Sequence, residues 1–363
     1  MSNRNIYIDY LKIICAFLVV YIHAGINSDI ISSVSTVAVP VFFTISGFLY
    51  QAVTVRKEKQ ITQILKISKL FLVSFVFYVM WSGLAMPLIK GNAMAIGKQL
   101  SVAGAVKLLL MNAPTYGYHL WYLVSLVYVL VIETIVDKAR SEKLERFATV
   151  CSVVLLVIGI SIPIVCEAFN LPYRIEIVRN FLFEGYPMFH GGRVIAEKCS
   201  NDKKHKNDGA EVEKHGIIAI YTTITICLVV GLLLERNIYN SFGIQASLTI
   251  FNVALAVVLV LLMIYLNDSY SAEHNQQYSN ENRNIEGSKT QVVRAFKPLG
   301  GSGLSTGIYI IHVFVLSIIN YLEIFDDGLL KTILCFCISA LLVIVWERMR
   351  NTINGHVPYN RGI

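Results

Sequence analysis

Charge is scarce in this 363-residue chain: Asp, Glu, Lys and Arg make up only 15% of it, against about 25% in an ordinary soluble domain. Hydrophobic residues supply 55%, and the mean hydropathy is +0.60. A water-soluble globular protein is thereby excluded, and length no longer counts domains. Acidic residues are the scarcer sign, 24 against 31 Lys and Arg. The resulting charge of +7 is accounted for by membrane topology, and no nucleic acid is implied. Cysteine is sparse too. Cys15, Cys151, Cys166, Cys199, Cys227, Cys335 and Cys337 show no paired spacing outside the apolar segments, so neither a disulfide framework nor a metal site is expected. No internal repeat is evident, and no small-residue cleavage site follows the first apolar segment. No polar stretch is long enough for a soluble catalytic domain, so any chemistry is expected inside the membrane.

Long apolar runs are what the chain does have. Ten are close to the ~20 residues a bilayer requires, at 6–26, 34–55, 70–89, 119–137, 147–167, 181–196, 217–234, 244–266, 304–322 and 329–348. The fold expected is all-α, a polytopic transmembrane bundle of about ten spans forming one domain over 1–348, with a short tail at 349–363. The sixth span holds Glu184, Pro187, His190 and two glycines and is a candidate for a broken or re-entrant segment. With the N-terminus in the cytoplasm, inner segments carry 22 of the 31 Lys and Arg and outer segments seven, Lys12 and Arg193 lying within spans. Cytoplasmic loops are enriched in these residues, so both termini are expected to be cytoplasmic. Trp81 and Trp346 fall near span ends, as interfacial aromatics do. The polar segments 198–216 and 267–295 read as flexible cytoplasmic loops, and Ala93–Met111 as an interfacial helix.

The first span carries three residues foreign to hydrocarbon: Asp9, Lys12 and His23. Helix geometry sets Lys12 and His23 about 20° apart in azimuth and ~16 Å apart in height, with Asp9 about 40° from the same line. This ionisable stripe crosses most of a bilayer, and charge inside a membrane usually marks a pathway or a site. A late-starting helix that leaves Asp9 and Lys12 at the surface, with the lysine snorkelling, is the alternative.

Four further groups stand out. Pro40 and Ser46-Gly47 in the second span suit a freed carbonyl and a close helix approach. Tyr118-His119-Leu120-Trp121-Tyr122 opens span four, as an aromatic belt or as a stacking platform. Arg174, Glu176, Arg179 and Asn180 precede span six, with Glu184 and His190 inside it. Tyr309 and His312 share a face of span nine. Together these polar residues point to one buried cavity where histidine performs acid–base work.

Taken in order, Ile8-Asp9-Tyr10-Leu11-Lys12, His23, Pro40–Leu49, His119-Leu120-Trp121-Tyr122, Arg179-Asn180 and Ile308-Tyr309-Ile310-Ile311-His312 resemble the acyltransferase-3 family of integral membrane O-acyltransferases. The Tyr118–Tyr122 and Arg179–Asn180 stretches are also similar to the membrane portion of vancomycin-resistance serine racemases. Lys12 and His23 match the family's first-helix pattern of Arg or Lys, ten residues, then His. The resemblance implies a bacterial inner or plasma membrane enzyme that takes an acyl group, in particular acetyl, from cytosolic acetyl-CoA to a glycan or polysaccharide hydroxyl beyond the bilayer. It implies His23, His312 and His119 as catalytic residues. Lys12, Lys66 and Lys69 would meet the CoA phosphates, and Arg179, Asn180, Trp121, Tyr122, Tyr309 and Glu184 the acceptor.

Two features depart from the family. Lys66 and Lys69 stand where relatives carry arginines, and lysine lacks the planar fork that holds phosphate bidentately. The hydrolase-like or racemase domain of many relatives is not expected after Ile363. A small-solute, serine-like transporter and a non-catalytic membrane partner are the competing readings. Asp9, ~21 Å from His23 along the helix, is expected to pair with a cation near the cytoplasmic face rather than to orient that histidine.

Overall fold

The computed structural model describes residues 5–25, 29–54, 60–90, 102–205, 211–284, 301–325 and 328–355. These contain helices and no strands, and nine of the helices are long and apolar enough to cross a membrane. In chain order the α-helices are α1 (Ile6–His23), α2 (Asp29–Ser35), α3 (Ala38–Thr54), α4 (Gln60–Met80), α5 (Met86–Ile89), α6 (Val102–Met111) and α7 (Trp121–Ala139). They continue with α8 (Glu142–Ala168), α9 (Tyr186–His205), α10 (Glu211–Ser241), α11 (Ile250–Asn284), α12 (Gly301–Tyr321) and α13 (Gly328–Gly355). The protein is an all-α polytopic bundle. The single domain expected over 1–348 is built as two compact units, one of residues 1–27 with 274–363 and one of residues 28–273.

The first unit packs α1 against α12 and α13. The Asn5 side chain caps α1 by accepting from the Ile8 N–H at 2.9 Å, satisfying one of the amides left without a partner at a helix start. Phe17 meets Phe336 edge-on at 5.4 Å. Gly307 lets α12 and α13 touch, since a Cβ there would lie 2.6 Å from Val343 Cγ2.

The second unit is organised by α3 and α9. A Cβ on Gly47 would overlap the Phe189 carbonyl, and one on Gly192 would overlap that of Thr44. The two backbones are therefore in direct contact, as small residues allow in membranes, and the close approach expected at Ser46-Gly47 is made by α9. Pro40 has no N–H for the carbonyl four residues back and its ring crowds it. The second span accordingly breaks at Thr36-Val37 into α2 and α3. Pro87 and Pro187 are each the second residue of an α-helix that follows a π turn, Trp81–Ala85 and Phe181–Gly185. The wider turn relieves the same clash without ending the helix. The sixth span is thus continuous from 181 to 205, although it falls short of the apolarity of the other nine. At the start of α11 the Glu235 carboxylate accepts from the Ile250 and Phe251 N–H groups, both at 3.1 Å, and so fixes the end of α10 to α11.

Several boundaries differ from the sequence reading. Helix α4 begins at Gln60 rather than 70, and α11 begins at Ile250 rather than 244. The segments 198–216 and 267–295, expected as loops, are helical over 198–205, 211–216 and 267–284. Neither contains proline, and their Lys, Glu and Gln residues are good helix formers. Helix α13 likewise runs past 348 into the expected tail. Of the helix expected over Ala93–Met111, Val102–Met111 is described as helical, and 91–101 lie outside the described residues.

Candidate active site

In the first unit the ionisable stripe of α1 is paired at both ends. Asp9 and Lys12, each about nine-tenths buried, form an ion pair at 3.8 Å, which bears out the expected role of Asp9 as a partner for a cation. At the far end of the same helix the His23 ring stacks on His312, centroids 5.1 Å apart and planes 23° from parallel. His312 is fully buried on α12, and its Nδ1 lies 2.8 Å from the Tyr309 carbonyl and 3.1 Å from that of Ile308. A carbonyl only accepts, so Nδ1 carries the hydrogen and Nε2 the lone pair. The Cys335 thiol donates to the His312 carbonyl at 3.3 Å, and the Tyr309 ring lies 6.1 Å from the imidazole. Two histidines named separately in the sequence thus form one pair. They supply adjacent imidazoles, groups able to pass a proton near neutral pH.

In the second unit Arg179, Trp121 and Glu184 come together. The Arg179 guanidinium lies over the Trp121 ring, 5.5 Å from its centroid. Both residues line a cavity of about 150 Å³ with Lys107, Thr115, Tyr118 and Glu176. Arg179 Nε, Glu184 Oε2 and Tyr173 Oη are buried without a hydrogen-bond partner among the described residues. Native buried polar atoms are nearly always satisfied, so this cluster has capacity to spare for a polar ligand. Burial pushes the Tyr173 phenol up to about 12, which keeps it a neutral donor. Glu176 pairs with Lys107 at 3.3 Å. Burial raises its carboxyl, but a backbone hydrogen bond and Lys107 outweigh that and hold it below the usual carboxylate range.

The remaining expected residues are placed differently. Asn180 caps the π turn: its Oδ1 accepts from Leu182 and Phe183 N–H at 2.8 and 3.2 Å, and its Nδ2 donates to the Ile177 carbonyl at 2.7 Å. Tyr122 packs on α3, with its hydroxyl 3.0 Å from Ser46 Oγ and its ring 4.6 Å from Phe43. His119 is buried edge-on to Tyr78 at 4.7 Å and does not line the Arg179 cavity. Lys66 and Lys69 are exposed, three residues apart on one face of α4.

Sequence reasoning missed the largest charged cluster among the described residues. Glu133 and Asp137 of α7 and Glu145 of α8 surround Arg193 of α9, with Asp137 at 2.7 Å and Glu145 at 3.1 Å. Asp137 also accepts from Tyr50 Oη at 2.8 Å and Gln60 Nε2 at 2.9 Å. The signal was present: Glu133 and Asp137 are one helical turn apart in an apolar span.

Fold and site define an integral membrane protein whose polar chemistry is held within its helices. A family model described as an acyltransferase domain matches residues 5–347, nearly the whole chain. The chain belongs to the acyltransferase-3 family and is a membrane acyltransferase in the general sense. No curated protein and no solved structure matches it.

Proposed function

We propose that this protein moves an acetyl group from cytosolic acetyl-CoA to a hydroxyl of a cell-envelope or exported polysaccharide, in a bacterial plasma membrane. The stacked His23–His312 pair carries this reading, because it sits at the end of α1 away from Lys12. His23 acts as general base on the acceptor hydroxyl, with His312 beside it to share the proton. Lys12 attracts the phosphates of the donor, leaving a long ion pair with Asp9 to do so. Within the 28–273 unit, Arg179 and Trp121 supply a polar binding patch suited to a glycan, the indole for stacking on a sugar face and the guanidinium for its polar groups. The test is acetyl transfer by the purified protein from labelled acetyl-CoA. His23→Ala is expected to abolish transfer; full activity in that variant overturns the assignment.

A transporter is the second reading, favoured by the buried Glu133–Asp137–Arg193 cluster, since intramembrane charge also marks solute and proton routes. Uptake of serine-like solutes into proteoliposomes without acyl donor would support it, and no uptake would eliminate it.

A further inference from the structure

A second constellation of catalytic type lies wholly within the 28–273 unit. His190 Nδ1 donates to Glu133 Oε1 at 2.7 Å, and His190 Nε2 lies 3.0 Å from Thr149 Oγ1. An ionised carboxylate can only accept, so Nδ1 carries the hydrogen and Nε2 turns its lone pair to the threonine. The other Glu133 oxygen is bound by Arg193, which Asp137 and Glu145 hold in turn. The carboxylate therefore cannot swing, and the imidazole is fixed from behind. Glu133 and His190 are buried, whereas Thr149 is exposed. Its hydroxyl also lies 3.0 Å from the Glu145 carbonyl, and its one hydrogen can rotate between the two acceptors.

Thr149 and His190 line a cavity of about 250 Å³ between α8, α9 and α11, whose other walls include Leu156, Met188, Val194 and Val257. Ion pairing between helices accounts for Arg193 and its carboxylates. It does not account for a hydroxyl at the head of an apolar cleft with a base and an orienting carboxylate in line behind it. Nucleophile, base and orienter within hydrogen-bond reach are the signature of an activated hydroxyl.

We propose that Thr149 carries an acyl group as a covalent ester. Its oxygen attacks the carbonyl carbon of an acyl thioester while His190 Nε2 takes the hydroxyl proton. The C–S bond breaks, His190 returns the proton to the departing thiolate, and the acyl chain rests in the cleft. The step is redox-neutral and needs only the thioester. The apolar walls suit an acyl chain rather than a sugar. This inference rests on the acyl-CoA reading above.

The experiment incubates the purified full chain with labelled acyl-CoA and locates adducts by intact-mass and peptide mass spectrometry. In His23→Ala, where onward transfer is blocked, one acyl group per chain is expected on Thr149. It should persist in the double variant with Thr149→Ser, which also reports correct folding, and vanish with Thr149→Val or His190→Asn. Free CoA released by the wild type with no adduct at residue 149 in any variant overturns the proposal alone. No CoA release by any protein, wild type included, overturns the acyl-CoA reading and this proposal together.

Discussion

Glu176 offers the most direct test of a single ionisable group. Its carboxyl is held below the usual range once Lys107 and a backbone hydrogen bond outweigh burial. A depressed folded-state value stabilises at pH above the unfolded carboxylate value, and that stability is lost as pH falls through the depressed one. The pair is partly exposed, so the effect belongs with solvent-reached ion pairs at ~0.2–1 kcal/mol. Lys107→Met is expected to lower thermal stability slightly at neutral pH and to match the wild type in acid, as followed by unfolding in detergent. An equal difference at both pH values would show that the lysine acts through packing. Asn180 illustrates the opposite case. It stood out in the sequence beside Arg179, yet both ends of its amide are occupied by backbone groups of the π turn, so its replacement should act on the local fold that aims Arg179.

Helix α9 owes its position to glycine. Gly47 and Gly192 bring its backbone against that of α3, whereas a Cβ on Gly191 would meet nothing within 4 Å. Gly47→Ala and Gly192→Ala are therefore expected to destabilise by about 1–3 kcal/mol through overpacking, and Gly191→Ala to be neutral or slightly stabilising through helix propensity. Denaturant unfolding of the three variants checks this, and similar losses in all three would refute the direct contact. The existence of the spans was legible because an apolar run of membrane length has few other uses. Their ends were less so. Lys66 and Lys69 depress the hydropathy of the first turns of α4 without ending the helix, and the polar extensions of α9 and α11 remain helical. The two π turns were invisible for a different reason: Pro87 and Pro187 announce a disturbance, but not that a helix absorbs it by widening upstream.

Across the whole molecule, the distribution of Lys and Arg predicts both termini in the cytoplasm. In a chain stripped of its native cysteines, a cysteine at Lys143 should react with an impermeant thiol reagent only after permeabilisation, and one at Arg174 should react from outside. The reverse pattern would invert the donor and acceptor ends of the proposed reaction. His23 and His312 were each legible as polar residues in apolar runs, but their pairing was not, because contact between residues so distant in sequence follows from packing. Arg193 was missed since its partners lie on two other helices. The unit built from residues 1–27 and 274–363 also bears on how the chain is made. Helix α1 emerges from the ribosome long before α12 and α13, so during synthesis it must cross the bilayer without its neighbours. A lone lysine costs roughly 2.5–3.5 kcal/mol at the centre of a membrane helix on insertion scales, and less towards the helix end where Lys12 stands. Asp9, one turn away on the same face and in ion-pair contact with Lys12, lets α1 bring its own counter-ion, so the wait for its distant partners is spent as an electrically neutral helix.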